Sequence, residues 1–406
     1  MRRLFGFLVS ALLVAPLPRA VAAEGLSALA RLDPAQSALI DGPGGVRIDL
    51  TLDQAVPYRV FFLADPPRLV VDFREVDFSA ALPADLDRSA RVTGLRFGPY
   101  REGWSRLVAE LDGPYRLESA AEPRAGQAAR IEVRIVAASD EVFAASVGVP
   151  EDPDWPRPEP APVPPPKLRQ DGTRPLVVVL DPGHGGIDPG AEAGSLREAH
   201  LTLSFARELA DALRRDGMIV ELTRGDDSFV PLEARLSIAR GAGADLFLSL
   251  HADALEVGVA TGATIYKLAP AASERAAGLL AERHDRADLL AGVDLSQQDD
   301  ILASVLMDMS RRETAPRSDR LALRLAEAIG DAGIHLHRHP VQEAAFSVLK
   351  APDIPSVLLE LGFLSSPRDR ERLSDPVWRA TMVEAIRAAV TKWAAEDAAE
   401  ARLVRQ

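Results

Sequence analysis

Four residues in the C-terminal half of the chain have the types and positions that metal-assisted hydrolysis requires: His184, Glu198, His251 and Glu360. Two imidazoles and one carboxylate are a common ligand set for catalytic zinc, with a fourth position left open for water. Water in that position is acidic enough to act as a nucleophile, and a further carboxylate can serve as its general base and acid. A single histidine after a strand is usually structural, so the hypothesis depends on all four side chains meeting at one place.

Alternating strands and helices are the elements that must bring these residues together. His184 and His251 each follow or end an apolar strand, Glu198 lies at the start of an amphipathic helix, and Glu360 lies near the end of a third strand. The predicted elements, in chain order, are strand 176–180, helix 201–215, strand 219–223, helix 231–240, strand 245–250 and strand 356–361. This order predicts an α/β domain with a mainly parallel sheet flanked by helices. Catalytic groups in such sheets gather at the carboxyl ends of the strands.

The N-terminal half has a different pattern and predicts a small all-β sandwich over residues 27–138. Segments 46–52 and 131–135 alternate apolar and polar residues with period two. Further strand-like segments are expected at 58–63, 68–73, 92–97 and 105–111, separated by Gly- and Pro-rich turns. The aromatic residues Tyr100, Trp104 and Tyr115 fit either a carbohydrate-binding surface or ordinary sheet packing, and packing is favoured. No histidine precedes His184, so we expect this domain to bind or position and not to catalyse.

The segments outside the two domains predict export and a spacer. Arg2 and Arg3 precede a short apolar run and the small-residue site around Ala22, which predicts a signal peptide over residues 1–23. That run is too short for a membrane span, so we expect an exported, periplasmic protein whose mature form has no membrane span. Nine prolines between Pro150 and Pro166 indicate an extended linker within residues 139–173. The second domain is expected over 174–395, followed by a C-terminal tail at 396–406.

Composition excludes several classes of function. The chain has 406 residues, of which 47% are hydrophobic, enough for two domains with their own cores. Its formal charge of −13 argues against a nucleic-acid-binding protein. It contains no cysteine, so neither disulfides nor thiol catalysis are available.

Four motifs resemble, in the correct order, those of the zinc-dependent N-acetylmuramoyl-L-alanine amidases. They are LDPGHGG at 180–186, LRE at 196–198, SLHAD at 249–253 and LELGFLS at 359–365. The resemblance implies that His184, Glu198 and His251 hold Zn²⁺ and that Glu360 is the catalytic acid and base. It also implies hydrolysis of the amide between the lactyl group of N-acetylmuramic acid and L-alanine in peptidoglycan.

Residues 67–73, PRLVVDF, resemble the AMIN domain that precedes the catalytic domain in periplasmic members of this family. The resemblance implies a targeting role for the β-domain and a role of the whole enzyme in septal cell-wall splitting. Two alternatives remain open: another zinc peptidase that cuts between amino acids of the cell wall, and a non-catalytic peptidoglycan-binding protein.

Between His251 and Glu360 the chain is longer than one crossover helix requires, and we expect an insert at about residues 270–315. Segments 273–290 and 301–310 of this part are expected to be helical. In cell-division members of the family, an insert at this place blocks the zinc until an activator with a LytM domain displaces it. The similar segment here contains Glu282, His284 and Asp285, with the last two where those members have Glu-Asn. The resemblance implies autoinhibition by one of these side chains, and the alternative is an ordinary charged helix face.

The remaining candidate positions have two interpretations each. Arg224 matches a family Thr-Arg segment and could contact substrate or anchor a loop. His200 could support the neighbouring ligand, although nothing in the sequence favours this. His335, His337 and His339 alternate and could bind a metal adventitiously, but a solvated strand face is the favoured interpretation.

Overall fold

The computed structural model describes residues 29–101, 103–125, 128–150, 168–254, 260–269, 278, 301–351 and 353–404. The expected signal peptide, the proline-rich centre of the linker, and Glu282, His284 and Asp285 lie outside the described residues. In the part of the chain that is described, no helix combines the length and apolar character of a membrane-spanning segment.

The N-terminal part is an all-β sandwich, as predicted, and is called the β-domain. Its strands are β1 Ala30–Arg31, β2 Ala38–Gly42, β3 Gly45–Leu52, β4 Tyr58–Leu63, β5 Arg68–Arg74, β6 Val76–Asp77, β7 Asp87–Arg88, β8 Val92–Arg101, β9 Trp104–Leu111, β10 Tyr115–Ala121, β11 Arg124–Ala125 and β12 Ala128–Ala137. One sheet has the order β10-β12-β3-β2-β7, with β11 also paired to β12, and the other has the order β4-β5-β9-β8. Two short helices accompany them, α1 Pro83–Leu86 and α2 Asp140–Ser146.

Period-two alternation fixes which face of the first sheet is buried. In β12, Ile131, Val133 and Ile135 are buried, whereas Glu132 and Arg134 between them are not. These residues pack against the inward face of the second sheet, including Leu69, Val71 and Leu107. The predicted packing role of the aromatic residues is confirmed for Trp104 and Tyr115, because both are buried.

The C-terminal part is the predicted α/β domain, and its main sheet has the order β16-β13-β17-β20-β18-β19. The strands are β13 Val177–Pro182, β14 Glu192–Ala193, β15 Leu196–Arg197, β16 Ile219–Leu222, β17 Leu246–His251, β18 Ala263–Leu268, β19 Leu336–Ala344 and β20 Ser356–Glu360. The helices are α3 Glu198–Arg215, α4 Leu232–Gly241, α5 Ile301–Asp331, α6 Pro367–Ser374 and α7 Pro376–Val404. All neighbouring pairs in the main sheet are parallel except β18 and β20.

Both faces of this sheet are covered, as its continuous apolar strands require. On one face, α3, α5 and α7 contribute Phe205, Leu325 and Ile386 to a core with Leu248 of β17. On the other face, Phe247 packs in a smaller cluster with Phe346. Loops at the carboxyl ends of β13, β17 and β20 are thereby held above a rigid support.

The expected boundary at residue 395 falls within helix α7, so residues 396–404 do not form a separate tail. Asp397 is fully buried and accepts hydrogen bonds from Arg317 at 2.8 and 2.9 Å. The expected linker is also structured at both ends, because Phe143 of α2 packs in the β-domain core and Gln170 bonds to Asp397. The helix expected at 301–310 continues to Asp331 with Pro316 inside it.

Candidate metal centre and active site

The loop between β13 and β14 presents His184 and is called the histidine loop (residues 183–190). His184 has a φ of 60°, which is a left-handed conformation. Few non-glycine residues adopt it, and those that do are often found at functional sites. Gly185 and Asp188 close the loop by exchanging two backbone hydrogen bonds, of 2.8 and 3.1 Å. This tight turn directs the imidazole of His184 back over the edge of the sheet.

The structure brings three of the four sequence-predicted side chains into direct contact. His184 Nε2 lies 3.2 Å from Glu198 Oε2, and His251 Nδ1 lies 3.0 Å from Glu198 Oε1. Glu198 is the first residue of α3 and His251 is the last residue of β17. One potential ligand atom from each residue lies within 4.8 Å of the others, and all three side chains are buried. The three donor atoms therefore surround one small volume.

This volume fits a zinc ion in both its chemistry and its construction. Two imidazoles and one carboxylate are a catalytic zinc ligand set, and two glycines leave room for the rings to approach. A Cβ atom on Gly190 would lie 2.6 Å from His184 Cδ2 and 2.7 Å from Glu198 Oε2. A Cβ atom on Gly183 would lie 2.1 Å from His251 Cε1. If zinc is bound here, His184, Glu198 and His251 are the side chains that hold it.

Glu360 lies beside this cluster at the end of β20 and is fully buried. Its Oε2 accepts a hydrogen bond of 3.0 Å from the backbone N–H of Asp253. Its Oε1 is buried without a hydrogen-bond partner among the described residues. Burial, and then the negative charges of Glu198 and Asp253, raise the pKa of Glu360 well above its ordinary value. A carboxyl with a raised pKa holds a proton more readily than an ordinary one, which suits a group that must take up and return a proton.

The carboxylate of Glu198 is held in its charged form. Burial alone would raise its pKa, but the imidazoles of His184 and His251 outweigh burial and hold the pKa well below the ordinary value. Metal ligands must be deprotonated to bind. The environment therefore favours the ligand form of Glu198.

Asp188 is a functional residue that the sequence analysis missed. Its Oδ2 lies 2.6 Å from His184 Nδ1, and its Oδ1 accepts from Gly190 N–H at 3.2 Å. A carboxylate on the outer nitrogen of a ligand histidine fixes the orientation of the ring. The only signal in the sequence was an acidic residue four positions after His184.

Two buried arginines hold the backbone of the histidine loop from below. Arg224 donates to the carbonyl oxygens of Pro182 and Gly183 at 2.9 Å. Arg235 donates to the Pro182 and His184 carbonyls at 2.9 and 3.0 Å and to Asp181 Oδ1 at 2.7 Å. Burial and the charge of Arg235 lower the pKa of Arg224 to about 10. Of the two interpretations of Arg224, its placement corresponds to loop anchoring and not to substrate contact, and the role of Arg235 had not been predicted.

Among the described residues, His200, His335, His337 and His339 are not part of this cluster. His200 is exposed, with Nε2 3.0 Å from Asp227 Oδ2. His337 and His339 lie on β19, at the edge of the sheet, with ring centroids 6.2 Å apart. Within the described ranges, His184, Glu198 and His251 are the one set of three potential ligands close enough to share a metal.

Known protein families match both domains of the chain. A family model described as N-acetylmuramoyl-L-alanine amidase matches residues 178–392, and a model of the AMIN domain matches residues 39–135. The chain is 33% identical over 362 residues to N-acetylmuramoyl-L-alanine amidase AmiC of Neisseria meningitidis serogroup B, covering 86% of each protein. It is 40% identical over 225 residues to the amidase AmiA of Escherichia coli, covering 54% of this chain and 76% of that protein. The solved structure of AmiC2 of Nostoc punctiforme aligns at 25% identity with a TM-score of 0.38, covering 54% of this chain and 96% of that one.

Proposed function

Because the chain belongs to the N-acetylmuramoyl-L-alanine amidase family, which hydrolyses peptidoglycan, we propose that its activity depends on zinc bound by His184, Glu198 and His251. The observation that carries this proposal is the convergence of these three side chains beside the buried carboxyl of Glu360. The proposed bond is the amide between the lactyl group of N-acetylmuramic acid and L-alanine. The products are a glycan strand with free lactyl carboxylates and an intact stem peptide.

Glu360 has the position and the proton affinity for general acid and base catalysis. Zinc, when bound, supplies a Lewis acid that polarises the scissile carbonyl and acidifies the attacking water. The Oε1 atom of Glu360, which has no hydrogen-bond partner among the described residues, accepts a proton from the water as the water oxygen attacks the carbonyl carbon. Glu360 then returns that proton to the nitrogen of L-alanine as the C–N bond breaks. Asp188 holds the ring of His184 in one orientation throughout.

Digestion of purified sacculi by the full chain tests the proposed bond. Mass spectrometry of the products should find intact free stem peptides together with glycan that carries no peptide. Stem peptides cut between amino acids would instead identify a zinc cell-wall peptidase. If neither product is released with zinc supplied, even from a variant that lacks residues 273–290, the protein is a non-catalytic peptidoglycan-binding protein. A sample treated with a chelator and then given zinc back should lose and regain activity.

We further propose that the protein acts in the periplasm at the division septum, after removal of residues 1–23 as a signal peptide. The β-domain would direct it to the wall there, as the AMIN match supports. A fluorescent fusion should concentrate at division sites, and the same fusion without residues 27–138 should not. N-terminal sequencing of the exported protein gives the cleavage position.

We also propose that residues 270–315 restrain the enzyme until a protein with a LytM domain releases it. Support comes from the similarity of the segment around Glu282, His284 and Asp285 to the inhibitory helix of cell-division amidases. Deletion of residues 273–290 should raise the basal hydrolysis of sacculi, and unchanged basal activity would contradict autoinhibition. Separate Glu282→Ala, His284→Ala and Asp285→Ala variants would then show which side chain is responsible.

A further inference from the structure

The β-domain contacts the histidine loop through the backbone of strand β8. The N–H of Ile187 donates to the carbonyl oxygen of Pro99 at 3.1 Å. Two glycines permit this approach of one backbone to another. A Cβ atom on Gly186 would lie 2.3 Å from Pro99 O, and one on Gly98 would lie 3.2 Å from Ile187 Cα. The loop that carries His184 is therefore hydrogen-bonded to the backbone of another domain.

An apolar cluster surrounds this hydrogen bond and joins both domains. Ile187 and Phe229 from the α/β domain are buried in it, and Phe229 stacks on Tyr100 with ring centroids 5.8 Å apart. Arg106 is buried and paired with Asp72, and its Cζ atom lies 3.6 Å from the centroid of the Tyr100 ring. The other buried members come from the β-domain and are Phe61, Leu63, Val70 and Val108.

The sequence of the second sheet shows that this cluster is not an incidental contact. The outer sheet of a solvated sandwich alternates apolar and polar residues. Strands β4 and β5 instead contain the continuous apolar runs Phe61-Phe62-Leu63 and Leu69-Val70-Val71. Phe62, Leu69 and Val71 face the core of the sandwich. Phe61, Leu63 and Val70 face the opposite way and pack with Ile187 and Phe229 of the second domain. Both faces of this sheet are thus built to be covered.

One ion pair connects the β-domain to the candidate metal ligand. Arg96 Nη1 on β8 lies 3.1 Å from Asp188 Oδ1, and the other oxygen of the same carboxylate lies 2.6 Å from His184 Nδ1. Among the described contacts, Arg96 is the β-domain residue whose side chain bonds to the carboxylate of Asp188. A carboxylate bonded on both sides has less freedom to rotate than one bonded only to the histidine.

We propose that the β-domain is part of the metal-binding architecture, with Arg96 as a positioning residue that acts on His184 through Asp188. The inference rests on the proposed metal site. It assigns to the β-domain a task beyond wall targeting: its second sheet covers the histidine loop and fixes one ligand. A ligand surface for the cell wall must then lie elsewhere on the β-domain.

Metal binding by the full-length chain tests this without reference to hydrolysis. Arg96→Ala, Arg96→Lys and Asp188→Asn variants are loaded with Co²⁺, and the visible absorption spectrum and the rate of metal loss to a chelator are recorded. The matched control is Arg47→Ala, because Arg47 is similarly exposed and pairs with Asp49 on the opposite sheet. Asp188→Asn should weaken binding by about 10–100-fold, as loss of an outer partner does. Arg96→Ala should weaken it by a smaller factor, about threefold to tenfold, with a shifted spectrum.

Arg96→Lys should restore part of the loss, and Arg47→Ala should match the parent. Hydrogen exchange at the Ile187 amide should accelerate in Arg96→Ala, while exchange in β12 stays at the parent rate. Faster exchange in β12 as well would mean that Arg96→Ala disturbs the whole β-domain. The Co²⁺ spectrum of Arg96→Lys is then the test, and a spectrum shifted as far as that of Arg96→Ala overturns the proposal. An Arg96→Ala variant that matches the parent in spectrum and metal loss also overturns it. A parent that binds no metal would overturn the metal site itself, which separates the two failures.

Discussion

His251 and Glu360 are register partners in the adjacent parallel strands β17 and β20. Partners in a parallel pair project to the same side of the sheet, so the candidate ligand and the candidate base lie next to each other. The backbone fixes both positions, because Leu361 N–H donates to His251 O at 2.9 Å and Asp253 N–H donates to Glu360 Oε2 at 3.0 Å. Changing either side chain should therefore leave the other in place.

The first prediction separates a ligand histidine from a histidine outside the site. His251→Ala should lose zinc. Its affinity for zinc should fall further than the about 10–100-fold that is typical when a residue bonded to a metal ligand is removed. His200→Ala should keep the zinc content and activity of the parent, because His200 is exposed and bonded to Asp227. Zinc content after dialysis, measured by atomic emission, checks both variants. Equal zinc content in the two would contradict the ligand assignment.

The second prediction concerns the space that Gly190 leaves for the ligands. Gly190→Ala should weaken zinc binding, because the new Cβ would lie 2.6 Å from His184 Cδ2. Gly194→Ala is a matched control: its φ of 64° is close to the 69° of Gly190, but a Cβ there meets no atom within 4 Å. Both variants should lose about 1–2 kcal/mol of stability from the left-handed backbone. Competition titration with a chelator should show weaker zinc binding in Gly190→Ala alone.

The third prediction concerns the buried pair beneath the histidine loop. Arg235→Met removes the partner of Asp181, which is fully buried, and should lower the free energy of unfolding by about 3–5 kcal/mol. Arg240→Met removes an exposed ion pair with Asp353 and should change stability little. Urea unfolding at pH 7 measures both. A loss for Arg240→Met as large as for Arg235→Met would contradict the anchoring role.

The predictable parts of this protein were those determined by local pattern. Alternation and continuous apolar runs located β4 to the residue, Tyr58–Leu63. Catalytic groups in parallel sheets lie at the carboxyl ends of the strands. This rule predicted that His184, His251 and Glu360 lie close together, and they do so in the structure. The alternating histidines predicted a solvated strand face, and His337 and His339 do lie on β19, the edge strand of the main sheet. Strand β18 was not predicted.

The remaining contacts join residues that are distant in sequence and carry no local signal. Asp188 bonds to Arg96, which lies in another domain, and Arg235 reaches the carbonyl of His184 from helix α4. The end of the α/β domain was misplaced for the same reason. Nothing around residue 395 shows that Asp397 completes a buried cluster with Arg317 and Arg169.

The fourth prediction uses the pH dependence of that cluster. Burial opposes ionisation of Asp397, but hydrogen bonds and charge from Arg317, and contacts from Gln170 and Arg169, lower its pKa. A carboxyl with a lowered folded-state pKa stabilises the fold fully above its unfolded pKa of about 3.9. This contribution is lost as the pH falls through the lower folded-state value. The parent should therefore be more stable than Asp397→Asn at pH 7, and the difference should narrow below about pH 4.

Urea unfolding from pH 7 to pH 3 measures this difference, with Asp353→Asn as an exposed control. Truncation after residue 395 should destabilise the domain in the same way, since it leaves Arg317 buried without its carboxylate. A truncated chain as stable as the parent would contradict the place of residues 396–404 in the α/β domain.

The most direct test of the central claim is to measure zinc content and sacculus hydrolysis together in Glu360→Gln. Glutamine keeps the shape of the side chain but cannot accept the proton of the attacking water. The account predicts the zinc content of the parent and hydrolysis reduced by about 10²–10⁴-fold. Glu198→Gln, measured beside it, should lose the metal as well as the activity. A Glu360→Gln variant that holds zinc and hydrolyses sacculi at the parent rate would contradict the assignment of Glu360 as the catalytic base.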